Sequence, residues 1–255
     1  LTKLQLLLKK KLFALLPAFL KRQLKRAYYY KKFSEAKWAE EPELAFLKSM
    51  VSPGQTVLDV GANYGLYTRF LAALVGKDGR VVSLEPVPET YDIVAYNVKK
   101  YGLTQAEVMP LAASDQEGQA VVFIPTWEDG SDNFYEASLS ASPATAQGRS
   151  ISIQTIKLDT LCQDFERLDF IKLDVEGHEP EALAGAKQLI QRFRPSMLVE
   201  INDDFEKGST GDKVLTFMQG LQYQMYVLQN GTLCPAQGKG EGVNYWFFPA
   251  EKRMS

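Results

Sequence analysis

The run DVEGHE (174–179) places Asp174, Glu176, His178 and Glu179 close together at the end of the short apolar segment DFIKLD (169–174). Asp174 and Glu176 are acceptors that can orient a hydroxyl or take its proton. His178 is the only histidine of the chain, and an unperturbed imidazole pKa of about 6.5 suits a general base. Its alternative is a helix-start residue that faces solvent. Lys172 falls inside the strand-like segment, where cover on both faces would bury it, and a buried lysine needs a carboxylate partner. Glu200 is the candidate, and the pair would be catalytic or structural. A metal is the other option. Asp174 ends one strand-like run, and Glu200 and Asn202 end the next, so oxygen atoms from adjacent strand ends could hold Mg²⁺. The alternative is two unrelated polar strand ends.

A second constellation lies at VLDVGANYG (57–65). A strand ends in Asp59, a turn with Gly61 and Gly65 follows, and a helix begins. Residues without Cβ let the backbone approach a ligand, which then sits beside a helix N-terminus at the carboxyl ends of strands. The next strand ends in Glu85, and an acid there can accept from both hydroxyls of a ribose. A pyrophosphate turn would have a glycine where Asn63 stands. Asp59 would repel a pyrophosphate but suits the ammonium group of S-adenosylmethionine. The pattern therefore favours S-adenosylmethionine over a dinucleotide, and a dinucleotide-dependent oxidoreductase is the runner-up.

The elements that position these residues alternate. Strands are expected at Thr56–Val60, Arg80–Glu85, Glu107–Ala112, Asp169–Asp174 and Ser196–Ile201. Helices are expected at Tyr64–Val75, Glu89–Tyr101, Glu179–Phe193 and Asp212–Met218. Tyr223–Gln229 and Val243–Phe248 read as late strands joined as a hairpin. This is an α/β, doubly wound, mostly parallel sheet. Gln119–Pro125 and Ser150–Leu158 read as an inserted antiparallel pair, so 119–158 is an inserted hairpin with a long loop. The loop 131–148 is either a lid or an unstructured insertion, and Trp127, Phe134 and Tyr135 could touch a sugar.

Residues 1–50 form a separate basic extension ahead of a domain at 51–255. Leu4, Leu8, Leu12, Leu15, Leu16, Phe19, Leu20 and Leu24 recur at helical spacing within residues 1–37, and Pro17 should kink or split the helix. The chain carries 29 Lys+Arg and 31 Asp+Glu, but eleven basic residues and one acid, Glu35, fall in the first 37 positions. A segment of net charge +10 is thus joined to an acidic body. The acidic body argues against a nucleic-acid partner. The helices could contact an anionic membrane, pack their leucine face on the domain, or join two subunits. A docking protein with a vestigial cofactor fold is therefore also an open reading. Cys162 and Cys234 form no disulfide framework, so a reducing, cytoplasmic location with membrane association as an option is expected. The longest apolar run, Leu12–Leu20, contains Pro17 and is too short to span a bilayer.

The segments VLDVGANYGLYT (57–68), SLEPVPETY (83–91), LAASDQEG (111–118), IKLDTL (156–161), DFIKLDVEGHEPEALAGA (169–186) and LVEIN (198–202) resemble the FkbM-type family of S-adenosylmethionine-dependent methyltransferases. The resemblance runs from about Pro53 to Phe248. It implies the class I methyltransferase (Rossmann-like) fold, with seven strands, the last antiparallel. It also implies O-methylation of a small-molecule, sugar or glycolipid hydroxyl. It would place the methionine part of the cofactor in the Gly61–Gly65 turn with Asn63, its ribose at Glu85, and its adenine near Ser114 and Asp115. Family members often carry a histidine where this chain has Asn202.

Overall fold

The structure is a computed structural model that describes residues 16–126, 132–133, 137, 139, 147–240 and 242–252. The strands are β1 (Thr56–Val60), β2 (Arg80–Leu84), β3 (Ala106–Met109), β4 (Leu111–Ala113), β5 (Gly118–Pro125), β6 (Gly148–Ile156), β7 (Phe170–Leu173), β8 (Ser196–Glu200), β9 (Tyr223–Gln229), β10 (Thr232–Pro235) and β11 (Asn244–Pro249). The helices are α1 (Ala18–Glu35), α2 (Pro42–Met50), α3 (Leu66–Val75), α4 (Pro88–Tyr101), α5 (Leu158–Leu161), α6 (Glu179–Ala184), α7 (Lys187–Phe193) and α8 (Thr210–Gly220).

The main sheet has the order β10-β9-β11-β8-β7-β1-β2-β3. Strands β8, β7, β1, β2 and β3 run parallel, and β11 is antiparallel to both β8 and β9. The expected seven strands are present, and β10 adds an eighth at the edge by pairing with β9. β9 and β11 pair as expected, yet β10 lies between them in sequence, so they are not a simple hairpin.

Central strands are buried on both faces, which is why they read as continuous apolar runs. Leu58, Val60, Ile171, Leu173, Met197 and Val199 pack on one face. Val57, Phe170, Leu198 and Trp246 pack on the other. Side chains alternate along a strand, so Asp59 and Lys172 share this second face, and they are register partners in β1 and β7.

Two expected elements are broken in the structure. The third strand breaks at Pro110: β3 stays in the main sheet, while β4 joins β6 and β5 in a second, three-stranded sheet. Proline has no N–H to continue a ladder. The inserted pair is therefore β5 and β6 with β4 added. The expected helix 179–193 is split at Gly185 and Ala186 into α6 and α7. A Cβ on Gly185 would lie 1.9 Å from the Ser114 carbonyl oxygen, so the chain bends where it meets the segment after β4.

Pro17 caps α1, so the helix starts there and is not kinked within. Residues 1–15 lie outside the described residues. α1 packs on α4 through Phe33, which is fully buried, and through Arg22 and Arg26, both bonded to Asp92. Of the leucine face, the described Leu20 and Leu24 do not pack on the domain and are exposed. Trp127, Phe134 and Tyr135, and most of 131–148, fall outside the described residues.

Candidate active site

The glycine turn joins β1 to α3 against the end of β7. Gly61 and Ala62 both donate to the Leu84 carbonyl at 2.9 Å. Gly61 has φ +86°, and a Cβ there would stand 1.7 Å from the Asp174 carbonyl oxygen. Glycine is required here by close approach as well as by backbone sign. Asn63 also lies in the left-handed region, at φ 51°.

Glu85 follows β2 and ties the turn down. Its carboxylate accepts from the backbone N–H of Asn63 (2.9 Å) and of Val87 (3.0 Å). Burial pushes its pKa up to about 8, against the opposing pull of those two donors. Gly61, Asn63, Glu85, Asp174 and Glu176 line one cleft that encloses about 620 Å³ of empty space, part of it open to solvent. Its apolar wall comes from Val87, Ala112, Ala113, Val122, Ala137 and Leu139. The part of this wall supplied by the second sheet carried no signal in the sequence.

Four expected cofactor residues, Asp59, Gly65, Ser114 and Asp115, do not line the cleft; Gly65 packs against Phe33 and Val94. Asp59 is fully buried under the turn, where it accepts from Thr68 Oγ1 at 2.6 Å. Its Oδ1 has no hydrogen-bond partner, and burial raises its pKa while Lys172 opposes the shift. Strand parity turns the carboxylate into the sheet face, which corrects the expectation of direct contact with an ammonium group. Ser114 and Asp115 follow β4, but Ala112 and Ala113 are the residues that face the cleft. Ser114 Oγ lies 3.0 Å from His178 Nε2.

His178 therefore neither faces solvent nor joins the carboxylates. It caps α6, its ring lies between Ser114 and Glu181, and burial lowers its pKa. Lys172 is buried at 2% exposure. Its Nζ lies 2.5 Å from Asp174 Oδ2, so the partner is Asp174 and not Glu200. Asp174 is two residues along the same strand and on the same face. Burial alone would lower the lysine pKa, but the Asp174, Glu200 and Asp59 carboxylates outweigh it and raise it. The raised pKa favours the cationic form of Lys172.

Asp174, Glu176 and Glu200 bring carboxylate oxygens within 4.8 Å of one another. Burial first, then Asp174, Glu200 and Glu179, push Glu176 up to about 8. Burial and Asp174 also raise Glu200. Asn202 turns its amide nitrogen to Glu200 (3.2 Å) and to Glu176 (3.4 Å). The oxygen set that could face a cation is thus Asp174, Glu176 and Glu200, with Glu176 in place of Asn202. A cluster of acids alone does not specify a metal. Glu179 is a residue whose role the sequence did not show. It accepts from the N–H groups of Gly177 (3.0 Å) and Val175 (3.3 Å) and so holds the turn that carries Glu176 in left-handed geometry.

The sequence matches the methyltransferase FkbM domain over residues 59–225. It is 28% identical over 153 residues to the 2-O-methyltransferase NoeI of Sinorhizobium fredii, covering 56% of this chain and 61% of that one. It is 27% identical over 172 residues to the hexuronic acid methyltransferase AglP of Haloferax volcanii, covering 64% of this chain and 62% of that one. The chain thus spans about three fifths of the length of both relatives. A solved structure of a methyltransferase FkbM from Methylobacillus flagellatus aligns with a TM-score of 0.49 at 16% identity, covering 82% of this chain and 50% of that one.

Proposed function

The chain belongs to the methyltransferase FkbM family, and from that premise we propose that it methylates a hydroxyl group of a sugar or a related small molecule, with S-adenosylmethionine as donor. The observation that carries this reading is one cleft that holds both the Gly61–Glu85 turn and the carboxylates of Asp174 and Glu176. The donor supplies an electrophilic methyl group on a sulfonium. The chain's residues supply position and a proton acceptor. Each Glu85 oxygen uses one lone pair on a backbone N–H, and the other is left to accept a ribose hydroxyl. Gly61 keeps the turn flush with the end of β7, so that a methyl group beside it lies near Asp174.

Lys172 holds Asp174 by an ion pair below the cleft floor. Glu176, whose pKa lies at about 8, takes a hydroxyl proton in its ionised form, which predominates only above that pH. Aligning the hydroxyl with the methyl group contributes the rest of the rate gain. A hexuronic acid methyltransferase and a 2-O-methyltransferase among the relatives favour a sugar acceptor. Family membership sets the oxidoreductase reading aside. Both cysteines are free, in keeping with the reducing, cytoplasmic location that we propose. Among the described residues, no helix is long and apolar enough to cross a membrane.

Calorimetric titration with S-adenosylmethionine, followed by labelled methyl transfer across a panel of sugars, tests the proposal. No binding at millimolar donor would sink it. Binding with transfer only to non-hydroxyl acceptors would keep the cofactor site and remove the acceptor assignment.

A further inference from the structure

α1 is held to the domain by one side only. Arg22, Arg26 and Phe33 face α4. On the other side Leu20, Leu24 and Tyr28, spaced one turn apart, are 38%, 50% and 60% exposed. A helix of this composition could have hidden its leucines; instead Leu20 and Leu24 face out, while Arg26 is partly buried and the more exposed Arg22 turns to Asp92. Arg22 and Arg26 share the single carboxylate of Asp92, and α1 has no acid before Glu35. A positive surplus therefore stands beside the exposed apolar row.

A groove with about 1080 Å³ of empty space, part of it open to solvent, runs between this end of α1 and the start of α4. Lys21, Arg22 and Lys25 line one wall and Glu89, Tyr91 and Asp92 the other; Asp92 is taken up by Arg22 and Arg26, and Glu89 accepts from Arg149. Val87, the residue that caps α4, lines the cofactor cleft. The groove and the cleft thus flank the same helix start. Fifteen residues precede the described chain at this end of α1, with Lys3, Lys9, Lys10 and Lys11 among them and Leu4, Leu8 and Leu12 at helical spacing.

We propose that the outward side of α1, with the groove beside it, docks the protein on an anionic lipid surface. Leu20, Leu24 and Tyr28 enter the headgroup boundary, while Lys21 and Lys25, at the groove edge beside them, reach lipid phosphates with their stems along the same apolar layer. Charge complementarity selects this occupant. A symmetric pairing of this face in two copies would set one cationic face against another, whereas an anionic bilayer meets both the cations and the apolar row.

The test is flotation of the full chain with vesicles, without methyl donor, so its outcome is independent of the catalytic reading. Phosphatidylcholine vesicles are compared with vesicles that also hold about 30% phosphatidylglycerol. Binding is expected only to the anionic vesicles, with about a tenfold loss as salt rises from about 0.05 to 0.5 M. Leu20→Gln with Leu24→Gln, and separately Lys21→Glu with Lys25→Glu, should each weaken binding at least about tenfold. The leucine pair is exposed, so its melting temperature should not change. No flotation of the full chain, or flotation of both double variants equal to that of the native chain, overturns the proposal. A dimer that Leu20→Gln with Leu24→Gln dissociates, seen with no vesicle binding, assigns the face to a second copy and also overturns it.

Discussion

Replacing Glu85 by Gln isolates the ribose contact. In the native chain the carboxylate must be ionised to accept from Asn63, Val87 and two ribose hydroxyls together. Its pKa lies at about 8 because it is buried. At pH 7 about one molecule in ten is ionised, and at pH 9 about nine in ten, so ligand affinity should rise about tenfold across that interval, roughly 1.4 kcal/mol. The direction is fixed by the raised pKa: affinity is full above about 8 and falls as the group protonates. Stability follows the opposite course. A carboxyl with a raised folded pKa contributes fully below its unfolded value of about 4.5, and that contribution is lost as pH rises through about 8. Calorimetry with methylthioadenosine is the right assay, because this ligand keeps the ribose and lacks the titrating amino group of the full donor. In Glu85→Gln the pH slope should vanish. Affinity at pH 9 should drop about tenfold to a hundredfold, the worth of a lost charge-assisted bond, ~1.5–3 kcal/mol. Glu176→Gln should keep the native slope, although Glu176 also titrates at about 8. A native affinity flat across pH 7–9 would refute the assignment of the ribose to Glu85.

Gly61→Ala should cost at least about a hundredfold in donor affinity, since its Cβ meets backbone at 1.7 Å and a lost near-ångström fit in a site is worth about that much. Gly54→Ala is the control: it also has positive φ, with nothing within 4 Å, and should cost only about 1 kcal/mol in a denaturant melt. Lys172→Met leaves Asp174 and the buried Asp59 without their cation, and the melt at pH 7 should show a loss of about 3–5 kcal/mol. A loss below about 1 kcal/mol would mean that the pair is not buried. His178→Asn should lower kcat at saturating acceptor less than about threefold, because the ring sits with Ser114 and Glu181 rather than acting as the base, whose removal costs about a hundredfold or more.

Short-range features were legible in the sequence. Gly61 and Gly65 announce a turn with positive φ, and both have it. The alternation of apolar runs with helical periodicity announces a doubly wound sheet, and the family resemblance placed the reacting end at the carboxyl ends of its strands. These depend on backbone sterics and on strand and helix periods, which act over a few residues. Pro110 was visible too, but where the chain goes after the break depends on which strand offers a free edge, and that is β6, more than thirty residues further on.

The rest was settled by contacts between distant segments. Parity alone put Asp59, Lys172, Asp174 and Glu200 on one face, but only the packed sheet decided that Lys172 closes on Asp174 and that Asp59 stays beneath the turn. His178 met Ser114 because α6 folds back on the segment after β4. The direction of the leucines of α1 was settled in the same way: their period marks a helix and does not say which side the domain will hold. Asp92 on α4 captured Arg22 and Arg26, Phe33 filled the space beside Gly65, and the leucines were left facing out. Periodicity within a segment follows from its own backbone. The partner of each side chain follows from which surfaces the whole chain brings together, and that requires the tertiary structure.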